Sequence, residues 1–138
     1  MSMPTRNHSK MQGVMLLEVM VGILIFSVGV LGLVGLMAKS TSSLADSKYR
    51  SDASFLASQL IGQMWGDRNN LSSYAYAGSG APPTALTSWV AEVNGMLPGA
   101  EPPKVAVDTD NQVTITISWK PRNISTPHTY TTISYING

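Results

Sequence analysis

Residues 19–38, VMVGILIFSVGVLGLVGLMA, form a run of twenty positions without a charge. As an α-helix rising about 1.5 Å per residue, the run is roughly 30 Å long, the thickness of a bilayer's hydrocarbon core. It is apolar on every face, so it lacks the polar stripe of a helix lying half in water. Such a helix is either the buried core of a soluble domain or a membrane span. A chain of 138 residues has little else with which to cover it on all sides, so the run reads as a single membrane-spanning helix. Gly22, Gly29, Gly32 and Gly35 are spaced by seven, three and three, which leaves no GxxxG pair. The 29–32–35 run is either a soft point in the helix or ordinary glycine tolerance.

Glu18 stands at the head of this run and interrupts an apolar segment that otherwise extends from Val14 to Ala38. A carboxylate in lipid costs on the order of 2.5–3.5 kcal/mol on insertion scales, so an acid there needs a function and a partner. The thirteen residues in front, MSMPTRNHSKMQG, contain Arg6 and Lys10 and no acid. Basic residues before an apolar helix favour a cytoplasmic amino end. Lys39, Lys48 and Arg50 follow the helix but are diluted by Asp46 and Asp52. Two processing schemes compete. A secretory signal would be cut after Ser40, with Ala38 and Ser40 as the small pair, but its apolar region would far exceed the usual length. Cutting after Gly13 instead retains the helix and leaves Glu18 one turn from a new amino terminus.

The segment Gly13-Val14-Met15-Leu16-Leu17-Glu18-Val19 resembles the prepilin cleavage motif of type IV pilins and type II secretion pseudopilins. The resemblance implies that Gly13 is the last leader residue, recognised by a prepilin peptidase that cuts between Gly13 and Val14. It implies that Val14 becomes an N-methylated amino terminus, although phenylalanine is commonest there. It implies that Glu18 is the glutamate used in assembly, setting register. Gly35 falls where many major pilins carry a kinking proline. The pattern LGLVGLM, the Leu97-Pro98-Gly99 step and a strand ending in Trp119 are most similar to minor pilins of the PilV type. The match is specific over about the first 38 residues and loose beyond.

Net charge is +1, from nine Lys and Arg against eight Asp and Glu. Removing residues 1–13 takes away Arg6 and Lys10, leaving seven against eight, or −1. Neither balance suits nucleic-acid binding. Cysteine is absent, so an exported domain would hold together by packing alone, without the carboxy-terminal disulfide of many major pilins.

After Lys39 the pattern predicts a second helical half reaching about Trp65. Ala53, Leu56, Leu60 and Met64 recur at three- and four-residue steps, with Ala57 and Ile61 beside them. One long helix from Val14 to about Trp65 is expected, ended by Gly66-Asp67 and Asn69-Asn70. Residues 67–85, with GSGAPP at 78–83, read as loop. Residues 86–97 predict a short helix with Trp89, Val93, Met96 and Leu97 on one side, Thr87 or Ser88 as cap, and Pro98-Gly99 as stop. Strands are expected at 104–108, 112–120 and 129–136, with a turn at Thr109-Asp110-Asn111. In the second, Val113, Ile115, Ile117 and Trp119 alternate with Thr114, Thr116 and Ser118. The expected fold is α+β: a long amino-terminal helix, its first half membrane-spanning, packed on a small antiparallel sheet of about three strands. The expected segments are a leader at 1–13, an assembly half at 14–38, a second helical half at 39–66, and a globular region at 67–138.

No catalytic set is visible. His8 and His128 are the only histidines, and His8 lies in the expected leader, so no triad or histidine metal cluster is expected. His128, beside Pro127, reads as a loop residue. Asp108, Asp110 and Asn111 loosely suggest a calcium loop, but the twelfth position from Asp108 is Trp119 and no glycine occupies the sixth. Turn chemistry is the expectation, with no metal and no cofactor. Three Asn-x-Ser matches, at Asn7, Asn70 and Asn123, carry little weight.

The resemblance therefore implies a minor type IV pilin, without enzymatic activity of its own. It would be a single-pass protein of the bacterial inner membrane with a periplasmic carboxy-terminal domain, later part of a surface fibre. Its implied partners are the prepilin peptidase, other minor pilins and the major pilin through helix packing, and no nucleic acid. The alternatives are a minor pseudopilin of a type II secretion system, or a membrane-anchored adhesive module using loops 67–85 and 121–128.

Overall fold

The computed structural model describes residues 9–122 and 125–137, and of residues 9–12 the backbone only. The chain divides into two units, Met1–Leu44 and Ala45–Gly138, and the helix α1, Ser9–Gly66, runs through both.

In the first unit α1 begins at Ser9, five residues before the expected start at Val14. Lys10, Met11 and Gln12 are strong helix formers, and a single glycine at 13 costs only about 1 kcal/mol, too little to stop a helix that continues apolar for many turns. The apolar side chains from Val14 to Met37 are exposed throughout the unit. This is the one helix among the described residues long and apolar enough to cross a membrane.

In the second unit α1 presents the predicted stripe. Ala53, Leu56, Ala57, Leu60 and Met64 are buried, with Ile61 packed against them. The helix α2, Thr87–Met96, adds Trp89, Val90 and Val93, followed by Leu97. The Trp89 indole N–H donates to the Leu56 carbonyl at 2.8 Å, pinning α2 to α1. The strands are β1, Lys104–Val107, β2, Gln112–Trp119, and β3, His128–Tyr135, antiparallel in the order β1-β2-β3. Val113, Ile115, Ile117 and Trp119 all point into the core, as their alternation predicts. The fold is α+β, a long helix and a three-stranded antiparallel sheet closing one core.

The differences are local. Residues 67–85 hold two short 3₁₀ helices, Arg68–Tyr74 and Thr84–Leu86, rather than plain loop. Leu71 and Tyr74 fall on one side of a three-residue turn and are both buried, which anchors the first. Neither Thr87 nor Ser88 caps α2. The second 3₁₀ turn runs straight into it, the Thr87 N–H is already spent on the Thr84 carbonyl, and the Thr87 hydroxyl bonds back to Pro83. β1 stops at Val107, because the Asp108 carboxylate accepts from the Thr109 N–H at 2.6 Å and opens the turn. Asn111 completes that turn at φ 58°, a left-handed conformation asparagine tolerates. At Gly99, φ is 57°, and a Cβ there would lie 2.5 Å from the Lys120 carbonyl oxygen, so glycine is required.

Candidate functional site

Gly13, Val14 and Glu18 all lie on α1, in unbroken helix. Val14 and Glu18 are four positions apart, hence on one face, one turn from each other. Among the described residues, nothing beyond its chain neighbours and its own helix backbone comes within 4 Å of a Cβ built at Gly13. Glu18 is exposed, and no hydrogen bond or ion pair to it occurs among the described residues. Its neighbours along the face, Met15, Val21 and Gly22, are exposed as well.

The polar groups further along α1 are handled differently. The Ser27 hydroxyl donates to the Ile23 carbonyl at 2.7 Å, and the Thr41 hydroxyl to Met37 at 2.9 Å. Each hydroxyl is satisfied inside its own helix. The Ser27 bond lies in a shallow apolar groove formed by Met20, Ile23, Leu24 and Val28. Glu18 has no such internal partner, because its carboxylate only accepts and every neighbouring backbone N–H is committed to the helix.

His128 is not in a loop. It opens β3, its ring stacks on Trp119 with centroids 5.8 Å apart and planes 17° apart, and its Nε2 stands 3.5 Å from Asp46 Oδ1. Neither His128 Nε2 nor the Trp119 indole N–H has a hydrogen-bond partner among the described residues. Nothing in the sequence joins Asp46, on α1, to His128, at the start of β3; they meet only in the folded second unit. No group of three or more acidic or histidine side chains converges to hold a metal among the described residues. The Asp108 carboxylate is occupied by the backbone and hydroxyl of Thr109. An open cleft of about 390 Å³ lies between the first 3₁₀ helix and the β1–β2 turn, lined in part by Arg68, Ser72, Val107 and Asn111.

Asp67 joins two side chains of the first 3₁₀ helix. It accepts from Asn70 Nδ2 at 2.7 Å and from the Tyr74 hydroxyl at 3.2 Å. Burial pushes the Tyr74 hydroxyl above the ordinary tyrosine range; a hydrogen bond with Gln63 opposes this and Asp67 reinforces it. Arg6, Asn7, His8 and the Asn123-Ile124 step lie outside the described residues. No family model matches the chain, and neither a curated protein nor a solved structure was found similar to it.

Proposed function

We propose that this chain is the precursor of a minor type IV pilin, a structural or priming subunit that a prepilin peptidase cuts between Gly13 and Val14. The observation that carries the reading is Glu18, an acid without a described partner, one turn from Val14, at the head of an exposed apolar helix. Hydrolysis of the Gly13–Val14 peptide frees an α-amine, which is mostly protonated at neutral pH. The ammonium of a neighbouring subunit then supplies the counter-charge for Glu18. Removing one member of a buried pair costs roughly 3–5 kcal/mol, so the pairing favours a single axial register. Apolar burial along residues 14–38 provides most of the association. N-methylation of Val14 and a periplasmic location for the second unit belong to the same reading. A minor pseudopilin of a type II secretion system would use the same chemistry and differ by its absence from surface fibres.

Amino-terminal sequencing and mass measurement of the protein from its native membrane test the proposal. The mature chain is expected to begin at Val14; a start at Thr41 would replace the reading with a soluble exported domain. Glu18→Ala is expected to insert and be cut normally yet enter fibres poorly, and normal incorporation would remove the role of the pair.

A further inference from the structure

The two edges of the sheet are treated differently. At β1, the outward backbone groups of Val105 are both used: Tyr76 N–H donates to the Val105 carbonyl and Val105 N–H to the Tyr76 carbonyl, each at 2.8 Å. That strand is only four residues long, carries Lys104 and follows Pro102-Pro103. Short length, lysine and proline are the usual devices that protect an edge.

β3 lacks the short length and the lysine, although it too follows a proline, Pro127. It is eight residues long, HTYTTISY, without proline, lysine, arginine or acid. Ile136 N–H donates to the Asn111 carbonyl at 3.0 Å, which fixes the phase of the ladder. With the β2–β3 register, His128, Tyr130, Thr132 and Ser134 bond toward β2. The backbone groups of Thr129, Thr131, Ile133 and Tyr135 therefore point away from the sheet, and no described backbone group meets them. Two of their side chains lean inward over the sheet. The Tyr135 hydroxyl accepts from Gln112 Nε2 at 2.6 Å, and the Thr129 hydroxyl lies 3.2 Å from that of Ser118. Ile133 and Tyr135 are each 57% exposed.

We propose that this edge of β3 pairs antiparallel with the same edge of a second copy of the chain, fusing two three-stranded sheets. A like copy fits for two reasons. The strand is free of formal acid and base apart from His128 at its end, so like meets like without repulsion. A two-fold axis through Thr132 also places Thr131 opposite Ile133 and Thr129 opposite Tyr135, pairing outward groups with outward groups. These are β-branched and aromatic cross-strand pairs of the kind that stabilise sheets, and the contact is isologous.

The chain has no cysteine, so the full-length protein in mild detergent and in vesicles can report the contact through introduced thiols alone. Thr131→Cys combined with Ile133→Cys is expected to give a disulfide-linked dimer on mild oxidation, since the two positions face each other only across the axis. Ile133→Lys is expected to raise the dimer dissociation constant about tenfold or more, as a charge on an open edge does. Thr131→Pro removes only an outward N–H and is expected to act likewise, while thermal melting followed through tryptophan fluorescence stays near that of the parent. A monomeric parent, a dimer indifferent to both Ile133→Lys and Thr131→Pro, or cross-links only to a different protein would each overturn the proposal. Should either substitution prevent folding, the cysteine pair in the otherwise native chain decides alone.

Discussion

Phe26 and Leu31 are 73% and 76% exposed, whereas Leu56 and Leu60 are fully buried, although one continuous helix carries all four. The difference lies in what each stretch can find within its own chain. Around residues 45–66 the apolar positions fall on one stripe, and α2 and the sheet supply matching surface. Around residues 14–38 they fall on every side, and the unit they belong to offers no second element among the described residues. The same kinds of side chain therefore end differently: those of one stretch close a core inside the molecule, and those of the other stay uncovered by any described residue of their unit. Helix propensity does not distinguish the two stretches; the distribution of polar residues around the helix does.

Substitutions on each side of that contrast test it. The largest effect is expected at Trp119, fully buried beneath His128. Trp119→Ala should cost about 3–5 kcal/mol of unfolding free energy by urea titration in detergent. Leu31→Ala in the same assay should stay within about 0.5 kcal/mol, because its side chain is not part of that core. Equal losses would mean that the first stretch has packing partners of its own. Next, Leu31→Arg should raise the cost of membrane insertion by about 2.5–3.5 kcal/mol, measured as the inserted fraction, without moving the melting temperature of the second unit. A shift in that temperature would show the two stretches to be coupled. The smallest effect concerns Tyr74. Its hydroxyl titrates above the usual range in the folded state, so the unfolded chain releases this proton first as pH rises. The associated stability is complete below about pH 10 and declines as pH climbs through the folded value. Tyr74→Phe should flatten that alkaline decline, and an unchanged decline would assign it to other groups.

Much of this was legible beforehand, for reasons that differ by element. The core stripe of α1 and the alternation of β2 follow directly from residue period, because burial on one face leaves a period in the sequence. Glu18 was conspicuous because the residues around it are apolar. The 3₁₀ helices near Leu71 and Leu86 were not legible. Their short runs lack a repeating period, and tertiary anchoring of Leu71, Tyr74 and Leu86 holds them. The Asp46–His128 approach was equally hidden, since Asp46 lies on α1 and His128 opens β3, far along the chain. The bare edge of β3 required the hydrogen-bond phase as well as the composition.

The helical start at Ser9 bears on how a peptidase would reach its bond. The Gly13–Val14 peptide is wound into regular helix, its carbonyl and amide turned along the axis and engaged with neighbouring turns. A cleaving enzyme needs that peptide drawn out, with its carbonyl open to an attacking water. Local unwinding would therefore precede any such cut. A glycine at 13 lowers its cost, since that residue favours leaving the helix by about 1 kcal/mol relative to alanine.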